Sequence, residues 1–295
     1  MSCFKLIEAE RASFSVPLMC RVLGVSRSGY YDWKDRPPSK RSQQDAALTE
    51  RIHEIHHRSR ATYGYPRVHA ELRAIGIRSS RKRVARLMRK AGLKGCLRGR
   101  RRKRTTRRDG SAMPAPDLLR RNFASVAPNR LWVADITYIK TEEGFLYLSF
   151  VLDAYSRRLV GWAMATHLRT ELVVDALQMA IWRRKPQAGL IHHSDQGVQY
   201  TSLSFGKQLE EADIVPSMGS VGSAYDNALA ESFVATLKTE LLYREDSSWP
   251  TRECVRTAIF EYLEGFYNRY RLHSALGYKS PVDFEEGRMK ESTAA

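Results

Sequence analysis

The chain has 295 residues, room for about two domains, and its 43% hydrophobic and 10% aromatic content is ample for real cores. Its formal net charge is +17. From Leu72 to Arg108 there are 17 Lys or Arg and no Asp or Glu, so the whole net charge sits in 37 residues. A block this dense reads as a footprint for nucleic acid, against the plainer reading of a solvated basic run. The start, MSCFKLIEAERASF, lacks the apolar core of a signal peptide, and the best apolar run, FLYLSFVL, is far too short to span a bilayer. Cys3, Cys20, Cys96 and Cys254 show no CxxC pairing. They read as thiols of a cytosolic protein with no membrane partner, not as a disulfide or zinc framework.

In chain order, five stretches are expected: a small helix-turn-helix-like unit (1–40), a helical DNA-binding unit (41–96), a basic and proline-containing linker (97–128), a catalytic domain (129–245) and a helical extension (246–295). In the first, FSVPLMCRVLGVSRSGYYDWK reads as helix, turn, helix. Val16, Met19, Val22 and Leu23 form an apolar face, and GVS supplies the turn and an N-cap serine. DNA contact and a plain helical hairpin are both open readings there. The second stretch predicts three helices. Leu48, Ile52 and Ile55 mark the first, Val68 and Leu72 the second, with Gly76 as a stop. The third is capped by Ser79 or Ser80, turns Val84, Leu87 and Met88 inward and ends at Gly92. Its other face carries Arg81, Lys82, Arg83, Arg86, Arg89 and Lys90, which suits a DNA groove or phosphate backbone. Arg100, Arg101, Arg102, Lys103 and Arg104 follow in a low-complexity run expected to be extended until it meets DNA. The string His53-Glu54-Ile55-His56-His57 spells H-E-x-x-H, the zinc-protease helix pattern. It has no evident third ligand, and reads instead as a polar helix face.

From Asn129 the pattern changes. LWVADITYIK, FLYLSFVLDA and LVGWAMAT read as three strands of an antiparallel meander. ELVVDALQMAIWRR is an amphipathic helix with Thr170 as its cap, GLIHHSD a short strand, LSFGKQLEEAD a helix, IVPSM a strand and NALAESFVATLKTELL a long helix. The order βββαβαβα is the ribonuclease-H-like α/β arrangement, a mixed sheet flanked by helices. It places Asp135 in the first strand, Asp195 just beyond the fourth and Glu231 on the last helix, 35 residues after Asp195. In this fold the first and fourth strands are neighbours, so the three carboxylates can converge. Hard oxygen ligands suit Mg²⁺ or Mn²⁺. Two such ions about 3.5–4 Å apart would activate the attacking oxygen and stabilise the leaving one. Asp153 is a decoy, either a turn residue or a group behind the ligands. Asn227, Glu231, Val234 and Lys238 share one helix face, which sets a cation two turns from the glutamate, facing a substrate strand. The run GSVGSAYDNA before that helix suggests a mobile loop beside the site.

Taken together, CRVLGVSRSGYY, SRATYGYPRVHAEL, RVARLMRKAGLKG, WVADITYI, HSDQGVQYTS, SMGSVGSAYDNALAESFVATLKTEL and YNRYRLHSALGYKSPVDF closely resemble the OrfB-type DDE transposases of the insertion-sequence-3 family, relatives of retroviral integrases. The resemblance covers nearly the whole chain. It implies that Asp135, Asp195 and Glu231 hold the metals and that Lys238 contacts DNA near the cleaved end. It also implies double-stranded DNA partners, namely terminal inverted repeats and a target. Water would free a 3′-OH, which then attacks a second phosphodiester without a covalent protein–DNA intermediate; strand transfer typically joins the two ends through a circle. Assembly as an oligomer on DNA is implied too. Family members commonly work as fusions in which an upstream reading frame supplies a helix-turn-helix and a leucine zipper. This chain has no heptad pattern sustained over three or four repeats, which leaves a role for an upstream-frame partner protein.

Two other classes fit parts of the pattern. A ribonuclease-H-fold nuclease or resolvase shares the carboxylates, but not the 35-residue spacing, the lysine or the helical units. A non-catalytic DNA-binding regulator would not need the triad at all. Near the C-terminus, Ile259, Tyr262, Leu263 and Phe266 form an apolar helix face. The cluster Tyr267, Arg269, Tyr270, Arg271 and His273 fits DNA contact, core packing, or both.

Overall fold

The computed structural model describes residues 3–96, 115–119, 125–219, 228–244 and 247–293, the last six by backbone alone. The chain divides into two compact units, Met1–Glu54 and Ile55–Ala295.

The first unit holds helices α1 (Cys3–Glu10), α2 (Val16–Val22) and α3 (Arg27–Asp35), and most of α4 (Lys40–Arg58). Gly24 takes the left-handed conformation, with φ of 66°, that ends α2, and the Ser26 side chain accepts from the Gly29 N–H to start α3. Its core is Ile7, Met19, Cys20 and Tyr30, lined by Phe4, Leu23 and Trp33. One sequence expectation fails here. Val22 is 74% exposed, and Cys20 is buried in its place. The reason is α1, which supplies Ile7 and Phe4 and so sets which face of α2 turns inward.

The second unit opens with the end of α4, then α5 (Tyr65–Ala74) and α6 (Arg81–Lys90). Val68 and Leu72 of α5 and Val84, Leu87 and Met88 of α6 are buried. Ser80 caps α6 by accepting from the Arg83 N–H. His56 bonds the Lys94 carbonyl at 2.9 Å and is buried, whereas His53, Glu54 and His57 are exposed.

A five-stranded sheet in the order β3-β2-β1-β4-β5 forms the centre of this unit: β1 (Leu131–Thr141), β2 (Gly144–Asp153), β3 (Leu159–Ala165), β4 (Ile191–Ser194) and β5 (Val215–Met218). The first three strands pair antiparallel, and β4 runs parallel to β1 and β5. The connecting helices are α7 (Glu171–Arg184), α8 (Leu203–Glu211) and α9 (Ala228–Leu237). On one face Trp132, Ala134, Val151 and Val160 pack with Val173, Ala176, Leu177 and Ala180 of α7 and Phe205 and Leu209 of α8. On the other, Phe233 of α9 stacks on Phe150 of β2 at 4.5 Å. Thr170 stands at the N-cap position of α7 but makes no capping bond with its side chain, because its own backbone is already helical, with φ of −61° and ψ of −32°. Asp153 is fully buried and accepts from the N–H groups of Asn129, Tyr155 and Ser156, so it is a turn residue.

The remaining helices, α10 (Arg252–Phe260), continued by a π-helical stretch to Tyr267, and α11 (Pro281–Thr293), pack around this core. Ile259, Tyr262, Leu263 and Phe266 are buried as expected. The aromatic and cationic cluster separates: Tyr267 and Arg271 are buried, Arg269 and Tyr270 exposed. Arg271 donates Nε and Nη2, each at 2.7 Å, to Glu240, which also accepts from the Tyr262 hydroxyl at 2.9 Å and from Arg67 Nη1 at 3.1 Å. Burial alone would raise the Glu240 pKa; Arg271, with help from Arg67 and Tyr262, outweighs it and holds the carboxyl below its usual range. Breaking such a buried pair costs about 3–5 kcal/mol.

The tightest joint is Gly161 of β3. A Cβ there would lie 2.1 Å from the Ala176 carbonyl oxygen and 2.8 Å from the Ala180 Cβ. Gly161→Ala must push α7 off the sheet, and is expected to destabilise by about 1–3 kcal/mol or more, read as a lower thermal midpoint.

Candidate active site

The pairing of β1 with β4 covers Leu131↔Ile191, Trp132↔His192 and Val133↔His193. Carried two residues further, that register brings Asp135 level with Asp195, which follows immediately on β4. Each aspartate is held by its local backbone. Asp135 Oδ1 accepts from the Ile136 N–H at 2.7 Å, and Asp195 Oδ1 from the Gly197 N–H at 3.0 Å. Gly197 allows this close turn, since a Cβ there would sit 3.0 Å from the Asp195 carboxylate. Glu231 is exposed in the first turn of α9, where Leu229, Ala230 and Phe233 anchor the helix to the sheet.

Electrostatics tie these groups together. Desolvation first, then the charge of Asp195, push the Asp135 pKa up to about 7; the Ile136 N–H pulls against them, Glu231 adds to the rise, and Lys238 opposes it least. Burial also raises Asp195. Lys238 is half-buried; burial lowers its pKa while Asp135 pulls the other way. The structure thus brings Asp135, Asp195, Glu231 and Lys238 to one site. Among the described residues, no three His, Cys, Asp or Glu side chains are drawn into a closed metal-ligand group. The chemistry of the set nevertheless fits a hard divalent cation: all-oxygen donors, and a mutual repulsion that such an ion would relieve.

Two tyrosines were not anticipated. Lys238 Nζ lies 5.3 Å from the centre of the Tyr138 ring. Tyr200 is buried, and its phenol pKa is raised well above the usual value by burial and then by Asp135 and Asp195. The five-residue interval between Asp195 and Tyr200 carries no period that would mark it. Lys238 also begins a π-helical turn, Lys238–Leu242, that continues α9. Of the expected DNA-contacting residues, Arg81, Lys82, Arg86, Arg89 and Lys90 are exposed on α6 and Arg83 is half-buried. Asn227 and the other residues of the expected loop from 220 to 227, and Arg100, Arg101, Arg102, Lys103 and Arg104, lie outside the described residues.

A mixed sheet with a carboxylate cluster at the junction of β1 and β4 defines an integrase-type core. The integrase core domain model matches residues 125–224, a second integrase core domain model residues 212–281, and an HTH-like domain model residues 43–104. The chain is 44% identical over 266 residues to a putative transposase for the insertion sequence element IS986/IS6110 of Mycobacterium tuberculosis, covering 88% of this chain and 95% of that protein. It is 40% identical over 284 residues to the transposase InsF for insertion sequence IS3A of Escherichia coli K12, covering 96% and 98%. The chain therefore belongs to the insertion-sequence transposases of the IS3 type. Among solved structures, a simian T-cell lymphotropic virus intasome matches at 16% identity and a TM-score of 0.47, covering 79% of this chain and 74% of that one. The HTLV-2 integrase catalytic core in complex with magnesium matches at 18% and 0.43, covering 55% and 99%. No described helix is long and apolar enough to cross a membrane.

The Asp135 pKa has a measurable consequence. It lies above the unfolded carboxyl value of about 3.9, so its contribution to stability is full below that pH and is lost as pH rises through 7. In EDTA, the thermal midpoint of the wild-type chain should carry a falling component from about pH 4 to pH 7. Asp135→Asn should remove that component and melt higher than wild type at pH 8.

Proposed function

We propose that this chain is a DNA transposase whose catalytic carboxylates are Asp135, Asp195 and Glu231, acting at the ends of its element and joining them to a second phosphodiester. The observation that carries the reading is the common electrostatic site of these three carboxylates with Lys238, at the place where β1 and β4 adjoin. Two Mg²⁺ or Mn²⁺ ions held there would activate the attacking oxygen and stabilise the leaving one. Asp135 and Asp195 are fixed by backbone N–H donors, so their orientation is set before substrate arrives. Glu231 contributes from a helix that the Phe233–Phe150 stack keeps against the sheet. Lys238, beside Tyr138, offers an ammonium to a DNA phosphate next to the reacting bond. Water attack at one strand frees a 3′-OH, and that hydroxyl attacks the second phosphodiester. The α6 cations and the run Arg100 to Arg104 hold duplex DNA through its backbone. Subunits assemble on DNA, and an upstream-frame protein can supply end recognition.

On inverted-repeat DNA with Mg²⁺, Asp135→Asn, Asp195→Asn and Glu231→Gln should each reduce strand joining by at least about 10³-fold while leaving DNA affinity within a few-fold. Excess EDTA should stop joining in the wild type, and added Mn²⁺ should restore it. Near-normal joining by any of the three variants would refute the assignment.

DNA affinity should fall steeply with salt, since each neutralised phosphate releases counterions. Removing residues 97–108, which carry eight Lys or Arg, should flatten the slope of log K against log salt by several units. An unchanged slope would mean that this run makes no phosphate contact.

A further inference from the structure

A cavity of about 370 Å³ opens beside α9 and its π-helical turn. Ser232, Thr236 and Thr239 line it at helical spacing, next to the stripe that carries Glu231 and Lys238. Three guanidinium groups reach it, from Arg67, Arg157 and Arg271, against the single carboxylate of Glu240. Glu240 is already engaged by Arg271, Arg67 and Tyr262. His273 adds no charge: burial, followed by Arg271, Arg67 and Arg157, holds its pKa well below the usual value. Two positive charges are therefore left over.

Arg157 accounts for the surplus most directly. It has no acidic partner among the described residues. It is half-buried, and burial lowers its pKa. Its backbone is left-handed, with φ of 61°, and its N–H donates to the Asp153 carbonyl at 2.8 Å. Glycine or asparagine would hold that turn at less cost. A strained, partly desolvated guanidinium without a counter-charge is unfavourable unless an anion completes it. The guanidinium fork matches phosphate oxygens, and the Thr239 hydroxyl at the cavity wall can donate as well. Cys96 lines the same cavity, and the run of cations in the sequence begins two residues later with Arg98.

We propose that this cavity is a phosphate subsite, with Arg157 as its principal ligand, that takes one backbone phosphate of bound DNA at a point separate from the carboxylate site. The proposal rests on the reading of the chain as a DNA-binding transposase. It is tested with the full chain in EDTA, by measuring affinity for a labelled DNA duplex as a function of salt. Arg157→Gln should reduce the slope of log K against log salt by about one unit and weaken binding several-fold at low salt. Thr239→Glu supplies a carboxylate inside the cavity. It should reduce the slope by a similar amount while melting no lower than wild type. Should Arg157→Gln fail to fold, Thr239→Glu decides alone. Folded variants with the wild-type slope would overturn the subsite and leave the transposase reading intact. Failure of the wild-type chain to bind DNA would overturn both.

Discussion

The short parallel pairing of β1 with β4 is the constraint on which the site depends. Three residue pairs fix the offset between the strands, and that offset carries Asp135 to the level of Asp195. Neighbouring strands lie about 4.8 Å apart, so two side chains at one level become close neighbours, and the turn closed by the Gly197 N–H holds Asp195 there. β1 then continues for six residues beyond Asp135, paired with β2 through Thr141, while β4 has already ended. α9 packs beside β1 and brings Glu231 near enough to Asp135 for its charge to act there.

That arrangement costs stability. Asp135 sits in a desolvated setting with two like charges near it, and only one lysine opposes them. The hydrophobic structure holds the conflict in place. Phe150 lies opposite Asp135 in the register and stacks on Phe233, two residues after Glu231, so one aromatic contact sets the distance between strand and helix. On the far face, Gly161 admits α7 close enough to cover Trp132 and Ala134. A sheet clamped on both faces can carry a cluster of repelling carboxylates, since separating them would mean unpacking one of its layers.

Much of this was legible in the amino-acid order. The alternation of LWVADITYIK and the apolar run FLYLSFVL announce strands that are half or fully buried, and the element order βββαβαβα then fixes which strands adjoin. The nearness of Asp135, Asp195 and Glu231 follows from that order. What local pattern does not reveal is long-range. Ile7 and Phe4 on α1 decided that Cys20, not Val22, turns inward, although the face of α2 read alone favoured Val22. Glu240 and Arg271 are thirty-one residues apart and look like surface charges; only the fold buries them together. Tyr200 and Tyr138 gain their places beside the carboxylates and Lys238 through loop and strand geometry that no spacing encodes. Asp153 has the same residue type and strand setting as Asp135, and only its three backbone donors identify it as a turn residue.

The contacts around Glu240 reach further than the core they stabilise. Arg67 comes from α5, ahead of the basic run, and Tyr63 just before it donates to the Tyr270 carbonyl and accepts from the Leu272 N–H. Arg67 fastens the helical segment that bears the α6 cations to the turn that continues α9, and Tyr63 fastens it to the segment of Tyr270 and Leu272. Acid that protonates Glu240 would loosen α5 from the turn that continues α9. A load on this helical segment would reach the end of α9 through the Arg67–Glu240 pair.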